Sequence, residues 1–294
     1  MKRLTLKLKL GHAVQPALLL ATVLALPLAA RAEGGSPWLP IPGDVSISLN
    51  QTEQSGKNAY IGSTELPVST ITGGAASKFT RSSTQLRLGY GISDALAADV
   101  TVGRGRVKAG AADSDSGPTD SIIGLNWRVL DEFERPGLPT LTLRVAAILK
   151  GSYQGDRLAA LGNAANGSDL SVLLGQQITS SFALWGEVGV QNRSNSVPNN
   201  TYYGLNGRLN VAPGWSLSLG ASRSQYGGSL DIGGPGFTPA LFQQVKAERT
   251  LLKGGIGWAF AGNQGLSLNL AKVTSGRNTV KDDAIVGLSY TVAF

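Results

Sequence analysis

The chain has 294 residues, with 26 Lys and Arg against 19 Asp and Glu, one His, one Met and no Cys. Without cysteine there is no disulfide, no thiol nucleophile and no lipid-modified cysteine anchor. The single histidine, His12, lies in an N-terminal segment that reads as an export signal, so the exported chain has no histidine base and no ordinary zinc or copper site.

That segment is residues 1–32. Lys2, Arg3, Lys7 and Lys9 form its charged start, residues 17–28 its apolar core, and Ala30-Arg31-Ala32 a small-x-small cleavage site. Twelve apolar residues interrupted by Pro27 are too few to span a bilayer as a helix, and no later apolar run reaches the roughly 20 residues required. Cleavage removes five basic residues (Lys2, Arg3, Lys7, Lys9 and Arg31) of the 26, leaving 21 against 19 acids. A near-neutral exported chain gives no case for a nucleic-acid partner. Residues 33–42 contain Pro37, Pro40 and Pro42 and are expected to form a short, stiff periplasmic segment. Its Trp38 has two possible places, as a stopper in a lumen or as an anchor at the periplasmic membrane interface, and the anchor is the expectation.

From residue 43 to 294 one unit recurs: about ten residues alternating apolar and polar, a tight turn, ten more, then a longer polar loop. Twelve such strands are expected near 43–53, 77–91, 96–106, 118–129, 139–151, 167–178, 182–191, 201–211, 215–226, 243–260, 266–275 and 283–294. Short connections at 92–95, 130–138, 179–181, 212–214 and 261–265 alternate with long ones at 54–76, 107–117, 152–166, 192–200, 227–242 and 276–282. Short turns on one rim and long loops on the other are the arrangement of an outer-membrane β-barrel, with the short rim periplasmic. The last strand supports this. Val286, Leu288, Tyr290, Val292 and Phe294 share one face and end the chain on an aromatic, which resembles the terminal signal that barrel assembly machinery reads. The fold class is therefore all-β, a transmembrane antiparallel up-and-down barrel of about twelve strands in the outer membrane of a Gram-negative cell.

Alternation separates two faces. Tyr90, Trp127, Phe182, Trp215, Trp258, Phe260, Tyr290 and Phe294 fall on the apolar face close to the short-turn rim, as a membrane-interface girdle would. The other face places Arg81, Arg87, Asp99, Asp120, Arg128, Arg144, Lys150, Asp169, Glu187, Arg208, Arg249 and Lys253 toward the lumen. Two readings of these charges stay open: a positive inner field that favours anions, or pairs across the interior that fix register and fill it. Arg104 and Arg106 fall on the outer face at the long-loop end, where they meet lipopolysaccharide phosphates or snorkel into water.

Other motifs carry less. Asp113-Ser-Asp115-Ser-Gly117 opens like a calcium loop but has Leu125 where the bidentate Glu belongs, so it reads as a polar loop. Gly103-Arg-Gly105 lacks the strand–turn–helix setting of a phosphate loop. Serines without a histidine have no activating base, and no carboxylate pair is placed for glycoside hydrolysis. Neither an enzyme nor a cofactor is expected.

Leu88-Gly-Tyr90-Gly-Ile-Ser-Asp94 running into the next strand is similar to a "YG(I/L)(T/S)D" hairpin. Ser116-Gly-Pro-Thr-Asp120, leading into Ile123-Gly-Leu125-Asn-Trp127-Arg128, is similar to an "sG-x-x-D-x-x-x-G-L-x-(Y/W)-(R/K)" element, and Gly167-Ser-Asp169-Leu-Ser-Val matches a later strand start loosely. These features resemble the outer-membrane proteins grouped with meta-pathway phenol degradation, distantly like FadL-type hydrocarbon channels. The resemblance covers most of residues 81–294. It implies uptake of small, often aromatic, molecules and carries over no catalytic residues; the long N-terminal hatch of FadL-type channels has no counterpart here.

The combined expectation is a passive channel for small solutes, anionic or aromatic, with a lumen lined by Arg and Lys and with loops 54–76 and 227–242 as constriction or gate. The alternative is a non-conducting structural or surface-interaction barrel. Expected partners are outer-membrane lipid and lipopolysaccharide, the barrel assembly machinery and a small solute.

Overall fold

A computed structural model of the chain describes residues 35–110 and 113–294. The expected signal segment, 1–32, lies outside the described residues. In chain order the strands are β1 (Val45–Gly56), β2 (Asn58–Ile61), β3 (Thr64–Pro67), β4 (Phe79–Ser93), β5 (Leu96–Ala109), β6 (Asp113–Pro118), β7 (Ser121–Leu130) and β8 (Thr140–Leu149). They continue as β9 (Gly167–Gln177), β10 (Phe182–Arg193), β11 (Asn200–Ala212), β12 (Trp215–Tyr226), β13 (Glu248–Phe260), β14 (Gln264–Arg277), β15 (Val280–Lys281) and β16 (Ala284–Ala293). A single helical turn, α1 (Val68–Ile71), follows β3.

Twelve of these form a closed antiparallel barrel, with β6 and β7 counted as two halves of one strand because both pair with β5. Each barrel strand pairs with its neighbour in sequence, and β1 pairs with β16 from Ser46↔Ala293 to Ser55↔Ala284 to complete the ring. Closure removes the two edges that an open sheet of this length would present. The short connections are made by residues suited to them: Pro213 fixes the first central position of the β11–β12 turn and Gly214 takes φ 76° at the second, a left-handed conformation open to glycine.

Strand boundaries agree with the alternation to within a few residues, and the differences have physical causes. The expected loop 107–117 is mostly strand, since β5 runs to Ala109 and β6 starts at Asp113. Above the apolar band the outward positions are the polar Lys108, Ser114 and Ser116, while Val107 and Ala109 face inward, so the phase of the alternation is reversed there. The tenth strand starts at Glu248 rather than 243, because Pro239–Gln244 form a 3-10 turn.

Above the barrel, β15, β2 and β3 make a small separate sheet. With α1 and the 150–166 loop it encloses an apolar cluster of Ala59, Val68, Phe79, Val107, Ala159 and Val280, packed by Ile71, Leu158 and Leu161. A second cluster takes Tyr60 down against Leu251, Val273 and Ile285. The long loops are thus folded over the mouth. They are held together by Asn278, whose Oδ1 accepts from the Gly62 N–H at 2.7 Å and the Ile232 N–H at 3.2 Å. Its Nδ2 donates to Asp231 Oδ1 at 2.8 Å and the Lys246 carbonyl at 2.7 Å.

Asp231 also accepts from Arg277 Nε at 2.8 Å. That hydrogen bond, opposed by slight burial and aided by Asn278, holds the Asp231 carboxyl below its ordinary range. A carboxyl depressed in the folded state contributes stability that is present above its unfolded pKa and lost as pH falls through the folded one. Amide exchange of residues 227–247, corrected for its intrinsic pH dependence, should therefore be flat from pH 7 to about pH 4 and rise severalfold below that. Asp231→Asn should show the raised rate at neutral pH. A wild-type rate that stays flat into strong acid would show that the clasp contributes nothing.

Candidate functional site

The outward face of every barrel strand is apolar through its lower half, and the inward face carries the charges, so the candidate site is the barrel interior. Tyr90, Trp127, Phe182, Trp215, Trp258, Phe260 and Tyr290 all project outward near the short-connection rim; Phe294 follows the last strand and is 71% exposed. Trp215 stacks on Trp258 at 5.7 Å, Trp258 meets Phe260 at 4.6 Å, and the Tyr290 hydroxyl donates to Gln264 Oε1 at 2.7 Å.

Inside, the charges gather around a few carboxylates. Asp99 on β5 is bound by Arg144 on β8, with Nη2 3.3 Å from Oδ1 and Nη1 on Oδ2. Arg87 on β4 approaches Asp99 Oδ1 at 3.5 Å, and Asn126 on β7 donates to Oδ2 at 2.9 Å. The inward Gly124 makes this possible, since a Cβ there would sit 2.3 Å from the Arg144 guanidinium. Nearer the long loops, Asp282 is shared by Arg81 on β4 and Arg249 on β13, the latter at 2.8 Å. Asp120, in the break between β6 and β7, accepts from Arg193 Nη1 at 2.8 Å, the Tyr153 hydroxyl at 2.6 Å and the Gly151 N–H at 2.9 Å, which ties the 150–166 loop to the wall. Burial and the adjacent Asp120 push the Tyr153 phenol above its ordinary range.

Asp169 has neutral partners: the Tyr202 hydroxyl at 2.9 Å and Gln191 Nε2 at 2.8 Å. Arg128 lies at the short-turn rim, 3.0 Å from Asp131. Lys253 points inward from mid-β13. Lys150 departs from the expected set, because it lies one residue past β8 and is exposed. The alternation that would turn it inward no longer applies once the strand has ended.

Arg208 on β11 differs from the other interior arginines. It is 8% exposed, faces Ala183 and Ser218 across its two neighbouring strands, and has no carboxylate partner among the described residues. Its Nε is buried without a hydrogen bond.

The N-terminal segment corrects the expectation for Trp38. It enters the short-turn end of the barrel instead of lying outside it. The Gly35 N–H donates to Glu187 Oε2 at 2.8 Å, and the Gly35 carbonyl accepts from Trp185 Nε1 at 3.0 Å. The Pro37 carbonyl accepts from Thr142 Oγ1 at 2.6 Å, and the Trp38 indole donates to Glu132 at 2.8 Å and meets Trp185 edge-on at 5.8 Å. Gly175 leaves the space, since a Cβ there would lie 2.5 Å from Pro37 Cγ. Trp38 is held inside because Trp185 and Glu132 together satisfy its ring and its N–H, which an interfacial position would leave to water.

The filling is one-sided. Interior residues on β8 to β10 are buried, among them Thr142, Arg144, Ile148, Asp169, Leu173, Ala183 and Glu187. At mid-height on β11 to β14 and β1 most interior positions are small and half-buried, among them Asn206, Ser218, Gly220, Gly255, Asn269 and Asn50, with Lys253 and Arg208 the large exceptions. Sequence patterns missed Asp282, Arg193, Glu132 and Trp185. Trp185 had a usable signal, a large aromatic in step with Ala183 and Glu187 on a polar face; the others lie in turns or at strand ends, where alternation has no phase.

No curated protein matches the sequence. Among solved structures, the chain is similar to an outer membrane channel from Pseudomonas putida F1, with TM-score 0.69 and 21% identity over 89% of this chain and 99% of that one. It is also similar to the KdgM porin, with TM-score 0.50 and 5% identity over 85% of this chain and 99% of that one. These likenesses bear on the fold, which is that of transmembrane barrels. The profile of one family, described as "Putative MetA-pathway of phenol degradation", matches residues 55–288, and the chain belongs to that family.

Proposed function

We propose that the protein is an outer-membrane channel through which small anionic or aromatic solutes pass passively, along the small-residue wall of β11 to β14 and β1. The observation that carries the reading is the uncompensated Arg208 beside that wall, in an interior whose remaining arginines at β4, β8 and β13 are held by Asp99 and Asp282. A paired arginine contributes little net field, whereas an unpaired cation in a low-dielectric lumen attracts anions. The apolar outer wall meets lipid, and the aromatic row at the short-turn rim sits at the periplasmic headgroups. The aromatic part of the substrate class rests on the family description. The segment at Gly35–Trp38 and the folded loops make the resting conductance small, and they favour the second reading, a closed structural barrel, if no current is found.

Single-channel recording of the refolded protein in a planar bilayer, with reversal potentials in a KCl gradient, tests this. Discrete anion-preferring steps are expected. Arg208→Ala should move the reversal potential toward cation preference without lowering stability, since an unpaired buried charge is removed. Folded, heat-modifiable protein that never conducts would overturn the channel reading. Conduction with an ion preference indifferent to Arg208→Ala would overturn its anion specificity.

A further inference from the structure

On the outer wall, the apolar band stops at one registered level across β4, β5 and β6. Going up β5, the outward residues are Leu96, Ala98, Val100 and Val102, then Arg104, Arg106 and Lys108. The neighbours change with them. Arg104 stands opposite Thr84 on β4 and Pro118 on β6, Arg106 opposite Ser82 and Ser116, and Lys108 opposite Thr80 and Ser114. Three exposed cations in alternate positions of one strand thus have only hydroxyls or proline beside them. Among the described residues none of the three has an ion pair, and the nearest outward acid, Glu53, is two strands away opposite Ser82. Like charges in line without opposing carboxylates on the adjacent strands repel, and the sheet itself supplies nothing to offset this.

The height of the cluster says what does. Eight to twelve residues separate Leu96, level with Trp127, from Arg104 and Lys108. At about 3.4 Å per residue and a tilt near 40° this is roughly 20–30 Å of barrel height, which places the cations at the upper border of an apolar band about 25 Å tall. An open groove at that border is lined by Ser82, Thr84, Arg104, Arg106, Ser114 and Ser116. Cations with flanking hydroxyl donors in a groove at headgroup depth match phosphate monoesters, which take charge-assisted bonds from guanidinium groups.

We infer that this groove binds the phosphorylated headgroup of lipid A in the outer leaflet. Arg104 and Arg106 grip one phosphate with Ser82 and Ser116 as secondary donors, and Lys108 reaches the sugar-phosphate edge above. The inference rests on the outer-membrane setting of the barrel and is independent of whether the barrel conducts.

Native mass spectrometry of the detergent-solubilised full protein, titrated with purified bisphosphoryl lipid A, tests it. The wild type should bind at least tenfold more tightly than Arg104→Gln/Arg106→Gln/Lys108→Gln, with monophosphoryl lipid A intermediate and with binding weakened by salt. Ser82→Asp/Ser116→Asp, which supplies carboxylates to Arg106 and leaves all three basic residues in place, should show the same loss. Both variants lie on an exposed wall and should keep wild-type heat-modifiable migration. Equal lipid A binding by wild type and both variants would overturn the inference. Displacement of lipid A by an equivalent concentration of inorganic phosphate would make the groove a free-anion site and overturn the lipid assignment.

Discussion

Deleting residues 35–39 is expected to raise the single-channel conductance severalfold. These residues fill the short-turn end of the lumen, with Pro37 fully buried and Trp38 wedged against Trp185. They are attached by a small set of bonds, to Glu187, Trp185, Thr142 and Glu132. None belongs to the strand ladder, so the barrel closes without them through β1 and β16. After deletion, Glu187 keeps the Ser171 hydroxyl at 3.0 Å and gains water in place of the Gly35 N–H. The cost to stability should accordingly be modest, since a carboxylate that regains solvent is not a buried unpaired charge. Trp38→Ala should give part of the same rise, by removing the widest side chain and leaving the Glu187 and Thr142 contacts. Conductance unchanged by both variants would mean that the limiting constriction lies elsewhere, at the Tyr60 cluster or the 150–166 loop.

The largest stability loss is expected from Asp99→Ala. Asp99 is 3% exposed and is the common partner of Arg87 and Arg144, so its removal leaves two guanidinium groups facing each other in the interior. Removing one partner of a buried ion pair costs about 3–5 kcal/mol, because the other charge stays desolvated. The urea midpoint of the barrel in lipid vesicles should fall accordingly with an unchanged slope. Replacing both Asp99 and Arg144 by apolar residues of similar volume should recover much of the loss, since a buried pair is often no more stable than well-packed apolar side chains. An Asp99→Ala protein within about 0.5 kcal/mol of wild type, the range of an ordinary surface change, would show that water already reaches the cluster. The same geometry revises what Arg144 does. Its side chain is a structural tie between β8 and β5, whereas Arg208 has no such duty and is where ion preference should respond to substitution.

Much of the wall was legible in the sequence. A strand between lipid and lumen must alternate, so period-two patterning located the twelve strands, put Leu88, Val100 and Leu125 outside and Arg87, Asp99 and Asn126 inside, and placed the aromatics from Tyr90 to Tyr290 on one rim. Pairing among the charges was not legible. Arg87, Asp99, Asn126 and Arg144 come from four strands and meet only because the stagger of β4, β5, β7 and β8 brings them to one height, and stagger leaves no trace in the alternation of any single strand. Asp282 and Arg193 were invisible for a related reason: Asp282 lies just past β15, and Arg193 is the last residue of β10, past the end of the strand expected at 182–191. The segment around Trp38 has no period at all. Its choice of the lumen over the interface depended on Gly175, Trp185 and Glu132, three residues far away in sequence that together form one pocket.

The sequence by itself determined that this chain builds a wall: the number of strands, their two faces and the terminal strand that closes the ring. These follow from local rules, because each strand meets the same two solvents at the same spacing. The tertiary structure alone decided what fills the wall: the Asp99 and Asp282 clusters, the inserted segment, the loops joined at Asn278, and an Arg208 without a carboxylate partner among the described residues. Those outcomes depend on distances between strands that are remote in sequence, and closing the barrel is the step that sets them.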